Sequence, residues 1–273
     1  MDDGSRLADK IKVVTSQAGR PIVRLGVIGD AHAEDSRLCQ ALTMLAGESV
    51  DAIVCTGDLV DGTGSPDAVV RDLRRAGVHT VLGNHDRWLL EDKARHVPDA
   101  HLATDLETGT VDYLKSLPRE CDVETSRGPL LLCHGVGRND LRKVWPGSAR
   151  MPPERSRRLD KIIAQGRYRF VLNGHMHFRV LVHFPDLTLI NAGTLQGVHK
   201  PGFSVLDFDR NEVTPFTFAT EDAREPGDRA DGGEVIDEPI HRMPPHSMQP
   251  IPGRRVWRNT QEFDGNWEPT RLF

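Results

Sequence analysis

Short apolar runs, each closed by a polar turn, set the rhythm of the first third of the chain. Residues 22–28 form a β-rich run ending at Gly29-Asp30 and read as a buried strand. Residues 35–46 carry Leu38, Ala41, Leu42 and Leu45 at helical spacing, and 51–56 form a second short run ending at Gly57-Asp58. A helix-like stretch over 67–76 leads to 78–82 and then to Gly83-Asn84-His85-Asp86. Strand-then-helix units in succession predict a sheet covered by helices on its faces. Beyond Trp88 the pattern predicts a helix around 111–117, a strand over 121–124 and another over 129–133 that runs into His134-Gly135. The second half is more β-like. Residues 168–172 end at Asn173-Gly174-His175, and 178–184, 187–191, 203–208 and 213–218 read as successive antiparallel strands joined by polar turns.

Composition changes this picture at the ends. Residues 1–20 read as a flexible arm, residues 21–220 as the main folded domain, and residues 221–273 as an acidic, Pro-rich tail with an aromatic end. Residues 221–238 hold eight acids and two arginines, and Trp257, Phe263, Trp267 and Phe273 restore apolar character, enough for the tail to dock on the body or pair two copies of the chain. The whole carries 35 Lys+Arg and 40 Asp+Glu, a net charge of −5, which disfavours broad nucleic-acid binding by overall charge. No window approaches about 18 consecutive apolar residues and the start lacks an apolar signal segment, so a cytoplasmic protein without a membrane partner is expected. The four cysteines lie far apart with no CxxC spacing and read as reduced thiols.

The chemistry gathers at one kind of place, the polar turn after an apolar run. In an α/β sheet the carboxyl ends of neighbouring strands lie side by side, so Asp30, His32, Asp58, Asn84, His85, His134, His175 and His177 should meet on one rim. Imidazoles with carboxylates and an amide suit borderline divalent ions; a calcium or magnesium site would be mostly oxygen. So many ligands exceed the needs of one ion, whereas two ions about 3.5–4 Å apart could share them and clamp an in-line displacement at phosphorus.

In order, GDAH, GDLVDG, GNHD, CHG and GHMH resemble the signature of the calcineurin-like metallophosphoesterase superfamily, over about residues 22–220. The resemblance implies an α/β (α+β) fold, a four-layer α/β/β/α sandwich of mixed sheets flanked by helices, which replaces the single covered sheet. It implies that Asp30, His32 and His177 hold one metal ion, that Asp58 bridges, and that Asn84, His134 and His175 hold the second. Manganese is the first expectation, with iron, zinc, cobalt or nickel as alternatives. By the same resemblance His85 stands beside the substrate as the leaving-group acid, Asp86 fixes its orientation, and a metal-bridging hydroxide attacks phosphorus. Asp61 reads as a supporting residue rather than a ligand.

Substrate clues are sparser. Residues 138–161 carry eight basic and three acidic side chains just after His134, so Arg138, Arg142 and Lys143 are candidate phosphate contacts, together with Thr194 from a polar loop that resembles the family's. Asp61-Gly62 and His85-Asp86 depart from the protein phosphatase pattern. The expected activity is therefore hydrolysis of phosphomonoesters or phosphodiesters on small phosphorylated or nucleotide-like substrates. A nuclease, a dinucleoside-polyphosphate hydrolase and a non-catalytic metal-binding scaffold remain as alternatives. The other histidines, His199 among them, read as surface or core residues.

Overall fold

A computed structural model describes residues 12–16, 19–145, 156–219, 238–248, 255–258 and 261–264. Along the chain run β1 (Lys12–Val14), β2 (Arg24–Ile28), α1 (Asp35–Gly47), β3 (Ala52–Cys55), α2 (Pro66–Arg75), β4 (His79–Thr80), α3 (Asn84–Leu90) and α4 (Thr108–Ser116). Then come β5 (Glu120–Thr125), β6 (Gly128–Cys133), α5 (Arg157–Gln165), β7 (Phe170–Asn173), β8 (Arg179–His183), β9 (Thr188–Ala192), β10 (Gly202–Asp207) and β11 (Glu212–Phe218). Short strands β12 (Ile240–Arg242), β13 (His246–Ser247), β14 (Arg255–Arg258) and β15 (Gln261–Asp264) follow.

These strands build two mixed sheets. One has the order β1-β5-β6-β7-β9-β8-β14-β15, the other β12-β11-β10-β2-β3-β4, with β13 also on β11. Each sheet has a run of parallel strands: β2, β3 and the edge strand β4 in one, β6, β7 and β9 in the other. Leu25, Val27, Val54 and Leu206 from one sheet pack against Leu130, Leu132, Leu172 and Ile190 from the other and form the central core. The outer face of the sheet that holds β2 and β10 is covered by α1, α2 and α4 through Leu38, Leu45, Val69, Leu73 and Leu114. The outer face of the sheet that holds β6 and β9 is covered by α5 through Leu159 and Ile162. Four layers result, α/β/β/α.

Local chemistry explains the helix limits. Ser65 caps α2 by accepting the Ala68 amide at 3.2 Å, Pro66 occupies its first position, and Arg74 and Arg75 close its last turn. Ser156 caps α5 through the Leu159 amide at 3.3 Å, and Gly166 ends it with φ 62°.

Some expectations change. The four late strands are not one antiparallel meander: β8 and β9 pair in one sheet, β10 and β11 in the other, and β9 lies parallel to β7. Of the expected N-terminal arm, Lys12–Val14 is a strand parallel to β5, while 1–11 and 17–18 lie outside the described residues. Of the expected tail, β12 and β13 pair with β11, and β14 pairs with β8. The acidic run up to residue 237 and the aromatic residues 267–273 lie outside the described residues. Among the described residues no helix is long and apolar enough to cross a membrane.

Candidate metal centre

The parallel strands of both sheets deliver their carboxyl ends to one rim. Asp30 follows β2, Asp58 follows β3, Asn84 and His85 follow β4, His134 follows β6, and His175 and His177 follow β7. The two sheets are stitched there by the parallel bridge of Asp30 with Thr194 and by the His134 ring, whose Nδ1 donates to the Thr56 carbonyl at 2.8 Å.

The potential ligand atoms of Asp30, His32, Asp58 and His177 all lie within 4.8 Å of one another, as do those of Asp58, His134 and His175. Asp58 belongs to both groups. Asn84 joins the second group, its Oδ1 2.9 Å from His134 Nε2. The structure thus brings together all seven residues expected as ligands.

The second contacts of these groups fix their aim. Nδ1 of His32 donates to the Asp61 carbonyl at 2.9 Å, just as Nδ1 of His134 engages Thr56, so in each ring Nε2 is the atom turned to the centre. Nε2 of His32 and Nε2 of His177 face each other at 3.0 Å, so both nitrogens aim at one point. Asp30 accepts the Thr56 hydroxyl at 2.8 Å and the His175 amide at 2.7 Å. Asp58 accepts the His85 amide at 2.8 Å. This donor set fits divalent first-row ions: imidazoles, two carboxylates and an amide oxygen, with a cation taking the place of the proton that His134 carries beside Asp58 and Asp30.

Charge is distributed to match. Burial, with Asp58 nearby, raises the Asp30 carboxyl to about 7. Asp58 goes the other way: burial opposes its charge, but His134 and His32 hold it well below the usual carboxylate range. Burial likewise opposes charge on His134, yet Asp58 and Asp30 lift it to about 10. Burial, with His134 and the Lys143 ammonium close by, lowers His175 to about 4, and burial with His32 lowers His177.

The backbone is strained at the same residues. His32, Asp58, His175 and His177 have φ of 44°, 49°, 67° and 60°, in the left-handed region that residues with side chains avoid. Two neighbouring glycines are obligatory for a different reason. A Cβ on Gly83 would stand 2.1 Å from Asp58 Oδ1, and one on Gly174 2.1 Å from Asp30 Oδ1. The backbone packs directly on the two carboxylates.

His85 stands on the rim, its ring centroid 5.0 Å from that of His32. Its Nδ1 is 2.7 Å from Asp61 Oδ2. Burial opposes charge on this ring, but the Asp61 hydrogen bond and Asp58 outweigh it and raise its pKa. This corrects the expectation for Asp86, whose two oxygens accept the Leu59 amide at 2.7 Å and the Gly83 amide at 3.0 Å. Asp86 clamps the start of α3; Asp61 orients the histidine. Asp61 in turn contacts Arg95 Nε at 2.7 Å and accepts the His101 amide at 3.0 Å. Arg95 also donates to the His101 carbonyl. Neither Arg95 nor His101 stands at a motif spacing, so nothing in the sequence pattern marked them.

Of the residues expected to touch substrate, Thr194 is buried and spends its hydroxyl on the Asp30 carbonyl at 2.7 Å and the Gln196 amide at 3.0 Å. It holds a ligand turn in place instead of facing substrate. Arg138 is exposed, and Arg142 lines a cavity of about 410 Å³ with Asn139, Arg157 and Arg158. Lys143 is exposed and near His175. Residues 146–155 of the basic segment lie outside the described residues. His199 was not expected here, yet its ring centroid is 5.0 Å from that of His177.

Comparisons with known proteins agree with this architecture. A metallophosphoesterase from Sphaerobacter thermophilus superposes with a TM-score of 0.52 at 20% identity, over 71% of this chain and 86% of its own. A hypothetical protein from Pyrococcus horikoshii OT3 superposes with a TM-score of 0.55 at 15% identity, over 70% and 85%. No curated protein matches the sequence. Residues 23–211 match the calcineurin-like phosphoesterase superfamily domain, and the chain belongs to that superfamily.

Proposed function

We propose that the protein hydrolyses phosphate esters at a centre of two divalent ions. The observation that carries this reading is the pair of ligand groups sharing Asp58, with an oriented histidine beside them. Asp30, His32 and His177 would hold one ion, Asn84, His134 and His175 the other, and Asp58 both. When bound, such ions acidify water and neutralise charge on phosphate oxygens.

The remaining steps fall to the chain's own groups. Water adds to phosphorus, the bond from phosphorus to the leaving oxygen breaks, and that oxygen takes a proton. With Nδ1 committed to Asp61, Nε2 of His85 is the ring atom available to give it. Asp61 keeps the imidazolium aimed and compensated, as a carboxylate does behind a catalytic histidine. The carbonyls of Asp61 and Thr56 keep His32 and His134 in the tautomer that ligation needs.

The test is turnover of p-nitrophenyl phosphate and bis(p-nitrophenyl) phosphate by metal-stripped protein reloaded with Mn²⁺, with bound metal counted by elemental analysis. Two ions per chain, metal-dependent turnover and its loss in Asp58→Asn are expected. One ion per chain, or turnover indifferent to Asp58→Asn, would overturn the two-ion reading. Comparing the two esters in His85→Ala assigns the preference for monoester or diester.

A further inference from the structure

Ring-bearing side chains outside the ligand set close on it from both flanks. Trp88 sits three residues after His85, on the same face of α3, with ring centroids 5.1 Å apart. On the other flank the His199 centroid lies 5.0 Å from that of His177 and 5.9 Å from that of Phe178, which is 5.8 Å from that of Trp145. His32 completes the row, 5.0 Å from His85 and 4.8 Å from His177. An unbroken line of rings therefore runs from Trp88, across the metal ligands, to Trp145.

Composition makes this arrangement informative. The chain is only 5% aromatic and has four tryptophans, of which two stand at the margins of this one site. Core packing accounts for part of it, since Trp145 and Phe178 also pack at the edge of the cluster under α5. Trp88, Phe178, His199 and Trp145 are all half-buried. Part of the Trp88 and His199 side chains is thus exposed beside the centre, and the exposed Lys143 ammonium is close enough to act on His175. Flat faces with a cation, beside a centre that draws phosphate, match the parts of a nucleotide: base, then phosphate. An alkyl or sugar phosphate brings no aromatic face to stack on the rings.

Resting on the phosphoesterase reading above, we propose that Trp88 and His199 are stacking platforms. The centre then takes phosphate esters of nucleosides in preference to alkyl or sugar phosphates. A base stacked on an aromatic face gains about tenfold or more in affinity.

Adenosine monophosphate and ribose 5-phosphate share sugar and phosphate and differ by the base. Titrated calorimetrically into Mn²⁺-loaded protein, the nucleotide is expected to bind about tenfold tighter or more. Trp88→Leu, His199→Ala or both should narrow that ratio several-fold. Equal affinities in the unaltered protein, or no binding of either, overturn the proposal without recourse to any variant. A ratio that survives both substitutions overturns the assignment of the platforms. Turnover of p-nitrophenyl phosphate on the same sample reads the other claim separately. Turnover with equal affinities sinks only the base preference; a strong base preference without turnover sinks only the hydrolysis.

Discussion

Replacing Asp61 by Asn is the most discriminating perturbation of the site, because it removes one charge and leaves the shape. Asp61 is buried, and its Oδ2 is 2.7 Å from His85 Nδ1 and 2.7 Å from Arg95 Nε, while Oδ1 accepts the His101 amide at 3.0 Å. An asparagine can keep the His101 contact, but it cannot offset the charge His85 carries as an acid. General-acid help is worth about 10²–10⁴-fold where the leaving oxygen is basic, and little where it is already stable as an anion. Asp61→Asn should therefore cut kcat on an alkyl phosphate about a hundredfold, about 2.7 kcal/mol of barrier, and change p-nitrophenyl phosphate less than about fivefold. Losing one partner of the buried Arg95 pair should also cost stability, about 2 kcal/mol, less than full loss of a buried pair because the Arg95 guanidinium still meets the Lys93 carbonyl at 3.1 Å. The assay is kcat on both esters with Mn²⁺ bound, at a temperature below the variant's melt. Equal losses on the two esters would refute the assignment of His85 and Asp61 to leaving-group protonation.

Two further outcomes are expected. Gly83→Ala puts a Cβ 2.1 Å from Asp58 Oδ1 and 2.2 Å from the Asp58 amide, so the shared ligand must move, and elemental analysis should show fewer than two ions per chain; full loading with normal turnover would contradict the packing argument. His183, whose Nδ1 is 3.2 Å from the Thr188 hydroxyl, which itself donates to the Met248 carbonyl, is lowered by burial to about 4. The unfolded chain therefore binds the extra proton first, so stability is full above the ordinary histidine range and falls between about pH 6.5 and 4. Urea unfolding at pH 7.5 and 5 should show His183→Gln losing about 2 kcal/mol less than the parent across that interval, and parallel losses would place the titration elsewhere.

How much of this was legible in the sequence depended on whether the determinant was local. β2 and β3 were readable because each is an apolar run closed by Gly-Asp, and α2 because Ser65 and Pro66 announce its start. α3 was not, because its first turn is spent on Asn84, His85 and Asp86, and tertiary contacts hold the helix: the Asp86 clamp, and Arg87 bonded to Asp140 at 2.5 and 3.1 Å. The sheet to which a strand belongs is set by its partner, so the apolar runs 187–191 and 203–208 looked continuous although they lie in different sheets. The ligands were legible because each closes a strand. The partner of His85 was not. Adjacency suggested Asp86, but successive residues on a helix point in directions about 100° apart, and the carboxylate that reaches the ring comes from Asp61, across the sheet edge.

The same geometry implies that the empty-handed protein carries a cost that cations remove. Asp30 and Asp58 are both buried, and four ligand residues hold left-handed φ values, each an expense of about 1–3 kcal/mol that a merely structural turn would have shed by using glycine. His134 offsets the charge of Asp58, but at Asp30 burial and the neighbouring Asp58 outweigh it, so the Asp30 charge stays unfavourable until more countercharge arrives. Asp30→Asn preserves the shape, with the side-chain oxygen accepting the His175 amide and the NH₂ meeting the Thr56 hydroxyl, whose present partner is Asp30 at 2.8 Å. In chelator the variant should therefore melt as high as the parent or higher, by about 1 kcal/mol. With Mn²⁺ at about a hundred times its dissociation constant the parent should gain about 2.7 kcal/mol per ion, and the variant clearly less. The order of the two melting temperatures should thus invert on adding metal. If Asp30→Asn melts lower in both conditions, these turns are held as an ordinary polar network and the strain has another origin.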